Sequence, residues 1–214
     1  MDEEISIIDT NTRNEKIIKF FVNNKIKFAT FCLVIIMSLI GYFSIGEFNE
    51  RNKIKIANKF NLIKINFKDS EKQKTIIELI DIINQNDATY SPLSLYFLLD
   101  NNLLESKNKT NELFDELINN TDLEIEIKKL VIYKKALFNS NFASENDLLQ
   151  ILNPIINSES IWKSHALYLL GEYFYSKDQP QKAKQFFYQI IALSNSNNDI
   201  KEESQKRLNR DLGE

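Results

Sequence analysis

A single cysteine and a single histidine set the first limits on this chain of 214 residues. Cys32 alone cannot form an internal disulfide, and it stands inside an apolar run where a buried, inert thiol is expected. With His165 the only imidazole, Cys/His and Ser/His/Asp catalysis have almost no raw material, and no zinc-type Cys/His cluster exists. No Gly-rich phosphate loop of either common spacing is present. Four glycines and three prolines argue against an all-β fold with many tight turns. The 27 basic and 30 acidic residues leave a net charge of −3, with no basic patch calling for nucleic acid. Carboxylates sit among lysines, as on solvated helix faces. The expectation is a protein that is not an enzyme, with no cofactor, metal, nucleic acid or small-molecule substrate. Ile, Asn and Lys are heavily used, as in an AT-rich genome, so Asn-rich patches are not read as linkers.

What is present begins with a span. Phe28–Ile45 carries no charge over 18 residues. At about 1.5 Å per residue this covers about 27 Å, close to a hydrocarbon core of about 30 Å. Lys25, Lys27, Tyr42 and Phe43 stand where interfacial anchors belong. A cleaved signal peptide or a buried core helix are the alternatives. The run exceeds the usual 7–15-residue signal core, and its lead begins with acids, which favours a retained transmembrane helix over 28–46. Residues 1–27 then form a cytoplasmic segment in which Glu15–Val22 reads as a short interfacial helix or a solvated tail. Five Lys/Arg lie on the N-terminal side and four (Arg51, Lys53, Lys55, Lys59) on the other, so charge alone barely orients the span.

From 47 to 214 the patterns are helical and recur in pairs. Ile54–Ile65 is amphipathic, Thr75–Asn84 has apolar residues almost all round and is expected to be well buried, and Ser91-Pro92 reads as a cap and first turn for the next helix. Thr110–Asn119 follows, and Thr121 or Asp122 caps Leu123–Phe138. Ser144 or Asn146 opens Asp147–Ile156, which Pro154 interrupts, and a charged helix over Ile200–Leu212 closes the chain.

Ile161–Leu193 is the most informative stretch. Around Gly171, Leu167, Leu170 and Phe174 share one helical face; Ala183 follows twelve residues later and Phe187 four after that. This order resembles the tetratricopeptide repeat, a helix–turn–helix unit of about 34 residues. Gly171 and Ala183 are small where paired helices cross, and the aromatics fill the flanks. Pro180 suits the first position of the second helix, and Asp178 stands where the repeat usually has glycine. A plain αα-hairpin shares the periodicity. Pairs beginning near 91, 125 and 161 keep the repeat spacing. The fold expected is all-α: one N-terminal transmembrane helix, then a tetratricopeptide-repeat-like α-solenoid of about four helix pairs (best repeat 164–197) with a C-terminal capping helix.

His165, Tyr168, Glu172 and Tyr175 form a stripe beside the packing face and are the candidate partner-binding groove, though packing or surface roles fit the same spacing. Trp162 is expected as an N-terminal staple or a contact with the preceding pair.

Taken together, the charged lead EKIIKFFVNNK, the single span and the block from LLQILNPIIN to KQFFYQI resemble the bacterial ancillary subunit family of the Sec translocon. That resemblance implies a non-catalytic inner-membrane protein with a periplasmic repeat domain. Its implied partners are translocon subunits, a membrane-anchored periplasmic chaperone, exported polypeptides and the lipid bilayer. The alanine-poor composition and Asp178 depart from the family pattern. A cytosol-facing adaptor for another membrane complex and an envelope or cell-division coordinator remain open.

Overall fold

The computed structural model describes residues 15–213, and every regular element among them is helical. The chain divides into two units, the first ending at Lys55 and the second beginning at Ile56.

In the first unit, α1 (15–23) ends at a turn on Asn24, whose side-chain amide donates to the Phe20 carbonyl at 2.9 Å. Helix α2 (Lys25–Asn66) then runs for 42 residues. Most apolar side chains of its first half are exposed: Phe31, Met37 and Ile45 are each more than 60% exposed. Among the described residues it is the one helix long and apolar enough to cross a membrane, and its apolar run is not buried as that of a core helix would be. Thr30 meets the need of its own hydroxyl by donating to the Ile26 carbonyl at 2.6 Å. Cys32 is exposed on this helix, which corrects the expectation of a thiol buried within the protein.

The second unit takes in the last turns of α2, where Phe60 and Ile63 are buried. It continues through α3 (Lys72–Ile83), α4 (Tyr90–Asp100), α5 (Lys107–Asn120), α6 (Ile125–Asn139) and α7 (Glu145–Ile156). Helices α8 (Lys163–Ser176), α9 (Pro180–Ala192) and α10 (Asn198–Lys206) follow, the last winding into a π-type turn over Arg207–Asp211. Helices adjacent in sequence pack against one another, most extensively α8 with α9. Helix α4 packs more on α3 than on α5, so the first pair is joined one helix earlier than the repeat spacing suggests. Ser91 shows why. It is not the cap; it is buried and its hydroxyl donates to the Ile82 carbonyl at 2.9 Å, pinning α4 to α3. The N–H groups of Thr89 and Tyr90 are taken instead by the Asp87 carboxylate.

Other helix starts also move. Ser106 caps α5 and Glu124 caps α6, while Thr121 is drawn away to Asn86 at 3.0 Å. Ser144 caps α7 as its position suggests, and Pro154 lies inside that helix rather than ending it. Two apolar clusters result. One joins the end of α2 to α3, α4 and α5 around Leu79, Leu95 and Phe114; the other joins α6 to α10 around Leu170, Phe174 and Phe187. Helix α6 serves both, giving Val131 to the first and Ile132 and Ala136 to the second.

Candidate interaction surface

The α8–α9 crossing sets the geometry of the candidate groove. A Cβ on Gly171 would lie 2.6 Å from Cε1 and 2.8 Å from Cζ of the buried Phe187 ring. Glycine is what lets the two helices approach, and Ala183 on α9 is fully buried with it. The turn between them places Asp178 at φ +56°, the left-handed conformation that glycine adopts without cost, and Pro180 opens α9 at its first turn.

The four stripe residues do not form one open surface. His165 joins an aromatic group, 5.3 Å from Trp162 and 6.0 Å from Tyr133 between ring centroids. Burial pushes its imidazole below the usual 6.5, with the Ile161 backbone pulling the other way. Trp162 stacks on Tyr133 at 6.1 Å and donates its indole N–H to the Glu126 carbonyl at 3.0 Å, so it does contact the preceding pair.

The other three residues are gathered by Arg207. Its Nε and Nη2 donate to the two oxygens of Glu172 at 2.7 and 2.6 Å, and its guanidinium lies 5.2 Å from the Tyr175 ring centroid. Tyr168 packs on Phe187 at 5.7 Å. Its hydroxyl is pushed above the usual phenol pKa, first by burial and then by the Glu172 charge, against the pull of Arg207. Arg207 also donates to Asp211 at 2.7 Å, and Arg210 and Arg207 together hold that carboxyl well below the ordinary range. The carboxyl-terminal turn therefore lies over the lower part of the stripe. Arg207 was not singled out in the sequence; the available signal was that the sole carboxylate of the stripe needed a cation, and Arg207 and Arg210 follow the last periodic helix.

A third constellation ties α6 to the loop before α8. The Glu126 carboxylate accepts from the Ser160 hydroxyl at 2.7 Å, the Ile161 N–H at 3.2 Å and the Lys129 ammonium at 3.0 Å. These contacts, Ser160 first, lower the Glu126 pKa against a smaller desolvation effect. Among the described residues, no three His, Cys, Asp or Glu side chains come together as a metal site. What the arrangement offers is shape, aromatic surface and paired charge.

No family model matches the chain, and neither a curated protein nor a solved structure is detectably similar to it.

Proposed function

We propose that this chain is a single-pass, membrane-anchored interaction protein without catalytic activity, whose second unit stacks tetratricopeptide-like helix pairs to hold protein partners. One observation carries the reading: a helix with an uncovered 18-residue apolar run precedes a unit built from sequential helix hairpins. The Gly171–Phe187 approach and left-handed Asp178 support the repeat-like geometry of the α8–α9 pair. The sequence resemblance to the ancillary Sec translocon subunits extends the proposal. It puts the N-terminus in the cytoplasm, the helix pairs in the periplasm, and translocon subunits with a membrane-anchored chaperone as partners during export.

Fusion of alkaline phosphatase and, separately, a cytosol-active fluorescent protein after Glu214 tests the orientation. Active phosphatase with a dark fluorescent fusion supports the export reading. A bright fluorescent fusion with inactive phosphatase overturns it and leaves a cytosol-facing adaptor. That second reading draws on Lys53, Lys55, Lys64 and Lys68, which follow the apolar run and would then be an inside signal. Co-purification from mild detergent separates partners: translocon subunits favour export, and cell-wall or division proteins favour an envelope coordinator.

A further inference from the structure

Helix α1 is divided lengthwise by polarity. At about 100° per residue, Ile17, Ile18, Phe20, Phe21 and Val22 fill one arc of about 200°, and Glu15, Lys16, Lys19 and Asn23 fill the rest. Among the described residues little covers the apolar arc: its five side chains are each between 47% and 61% exposed.

The arc is continuous with the apolar run of α2. Phe28, the first residue of that run, lies 4.6 Å from Phe21 and 6.0 Å from Phe20 between ring centroids, across the turn on Asn24. An open hollow of about 480 Å3 over Phe20, Phe28 and Phe31 takes in Lys27, which brings an ammonium beside the rings.

Charge is graded along the same stretch. Lys16, Lys19, Lys25 and Lys27 are all exposed, and Glu15 is the one acid among residues 15–27. The remaining acids before the run, Asp2, Glu3, Glu4 and Asp9, all come earlier in the chain. Only five residues separate Val22 from Phe28, about 9 Å of helix, so a bilayer that takes the apolar run holds α1 within reach of its headgroups. An apolar arc flanked by lysines is complementary to an anionic lipid surface: acyl chains cover the arc and phosphates meet the ammonium groups. We propose that α1 lies on the anionic membrane surface at the N-terminal end of the apolar run, with Ile17, Phe20 and Phe21 in the acyl boundary and Lys16 and Lys19 on lipid phosphates. The inference rests on the membrane-anchored reading and gives the N-terminal segment a partner of its own, an anionic phospholipid.

The test uses the full chain in lipid nanodiscs, with Cys32→Ser and a single reporter cysteine carrying a bimane fluorophore. Lipids with a nitroxide high on the acyl chain quench a reporter seated at the boundary. Ile17→Cys reports the apolar arc and Asn23→Cys the polar one. A helix pointing straight away from the bilayer would carry Ile17 about 16 Å beyond Phe28 and leave Asn23 the nearer of the two. In discs of equal phosphatidylglycerol and phosphatidylcholine, Ile17→Cys should instead be quenched more than Asn23→Cys. The ratio of seated to free α1 read from that quenching should fall about fivefold with each of Lys16→Gln and Lys19→Gln, and hardly change with either in phosphatidylcholine alone. Three results overturn the proposal. Ile17→Cys quenched no more than Asn23→Cys leaves α1 a solvated tail. Equal quenching of Ile17→Cys in anionic and neutral discs makes the seating apolar only. Both reporters quenched best by a nitroxide deep in the acyl chain make α1 an extension of the apolar run. A reporter at Val34→Cys separates the two levels. Deep-nitroxide quenching there alongside any of the three sinks the α1 site alone, and its absence sinks the membrane-anchored reading itself.

Discussion

The Phe187 ring occupies the space in which any side chain on Gly171 would have to sit, its Cε1 2.6 Å from the place of the missing Cβ. Phe187 is fully buried and braced by Tyr168, so it has little room to retreat. Gly171→Ala gains about 1 kcal/mol of helix propensity and loses about 1–3 kcal/mol to overpacking, for a net loss of about 1 kcal/mol. Gly171→Leu loses considerably more. Thermal unfolding measures both, and Phe187→Leu in the Gly171→Ala background should recover part of the loss. Additive losses in that double variant would mean the two residues do not share the space.

Arg207 binds Glu172 through two parallel hydrogen bonds, and both side chains keep a little more than a quarter of their exposure. Solvent weakens such a pair, and its contribution is about 1 kcal/mol. The larger consequence is local. Arg207→Ala removes what holds the carboxyl-terminal turn over Tyr168 and Tyr175, so amides of α10 should exchange faster while those of α8 stay protected. Swapping the charges, with Glu172→Arg and Arg207→Glu together, should restore much of the protection. Unchanged exchange in Arg207→Ala would show that Leu208 and Ile200 hold α10 without the ion pair.

Asp178 adopts φ +56° and, among the described residues, makes no side-chain hydrogen bond that would favour this conformation. Asp178→Gly should therefore stabilise the second unit by about 0.5–1 kcal/mol, the relief of left-handed strain outweighing the added chain entropy. Asp178→Val should destabilise it by more than that. Chemical denaturation with a shared slope reads both changes, and a destabilised Asp178→Gly variant would count against the strain argument.

Glu126 predicts a pH dependence. Its carboxyl pKa is lowered in the folded state, mainly by the Ser160 hydroxyl and then by Lys129 and the Ile161 N–H. A depressed folded pKa means that the stabilisation is full above the unfolded value of about 4.3 and is lost as pH falls through the lower, folded value. Glu126→Gln should thus melt below the parent at pH 7, by about 1 kcal/mol for a partly exposed group, and the gap should close towards pH 3. A gap that persisted at pH 3 would assign the loss to packing rather than charge.

Helix identity and the last pair were legible because their causes are local. Apolar spacing, Pro180 at a helix start, and the small residues Gly171 and Ala183 all speak within about 20 residues of chain. What failed depends on tertiary context. Ser91 has the sequence of a cap, yet burial against α3 sends its hydroxyl to Ile82, and Thr121 is captured by Asn86 across the fold. The stripe on α8 was readable as a helical face, but its engagement by Arg207, 35 residues from Glu172, was not. Nor do local patterns reveal that Tyr96 is enclosed without an acceptor while Lys134 lies over its ring. Such facts belong to side-chain contacts between helices distant in sequence.

The apolar run of α2 offers the sharpest separation of outcomes. Val34 is 59% exposed on α2, so on a water-exposed helix Val34→Arg would remove an unfavourable apolar contact with solvent and leave the protein folded and more soluble. In a bilayer the same change puts a guanidinium near the middle of the apolar run, at a cost of about 2.5–3.5 kcal/mol for insertion. Ser44→Arg, near the end of the run, should cost far less because a long cationic side chain there reaches the headgroups. Fractionation after alkaline carbonate washing should therefore leave the parent and Ser44→Arg largely in the membrane pellet and shift a substantial share of Val34→Arg to the supernatant. Equal distributions for the two variants would mean that position along the helix does not matter, and a hydrocarbon environment for Phe28–Ile45 would have to be given up.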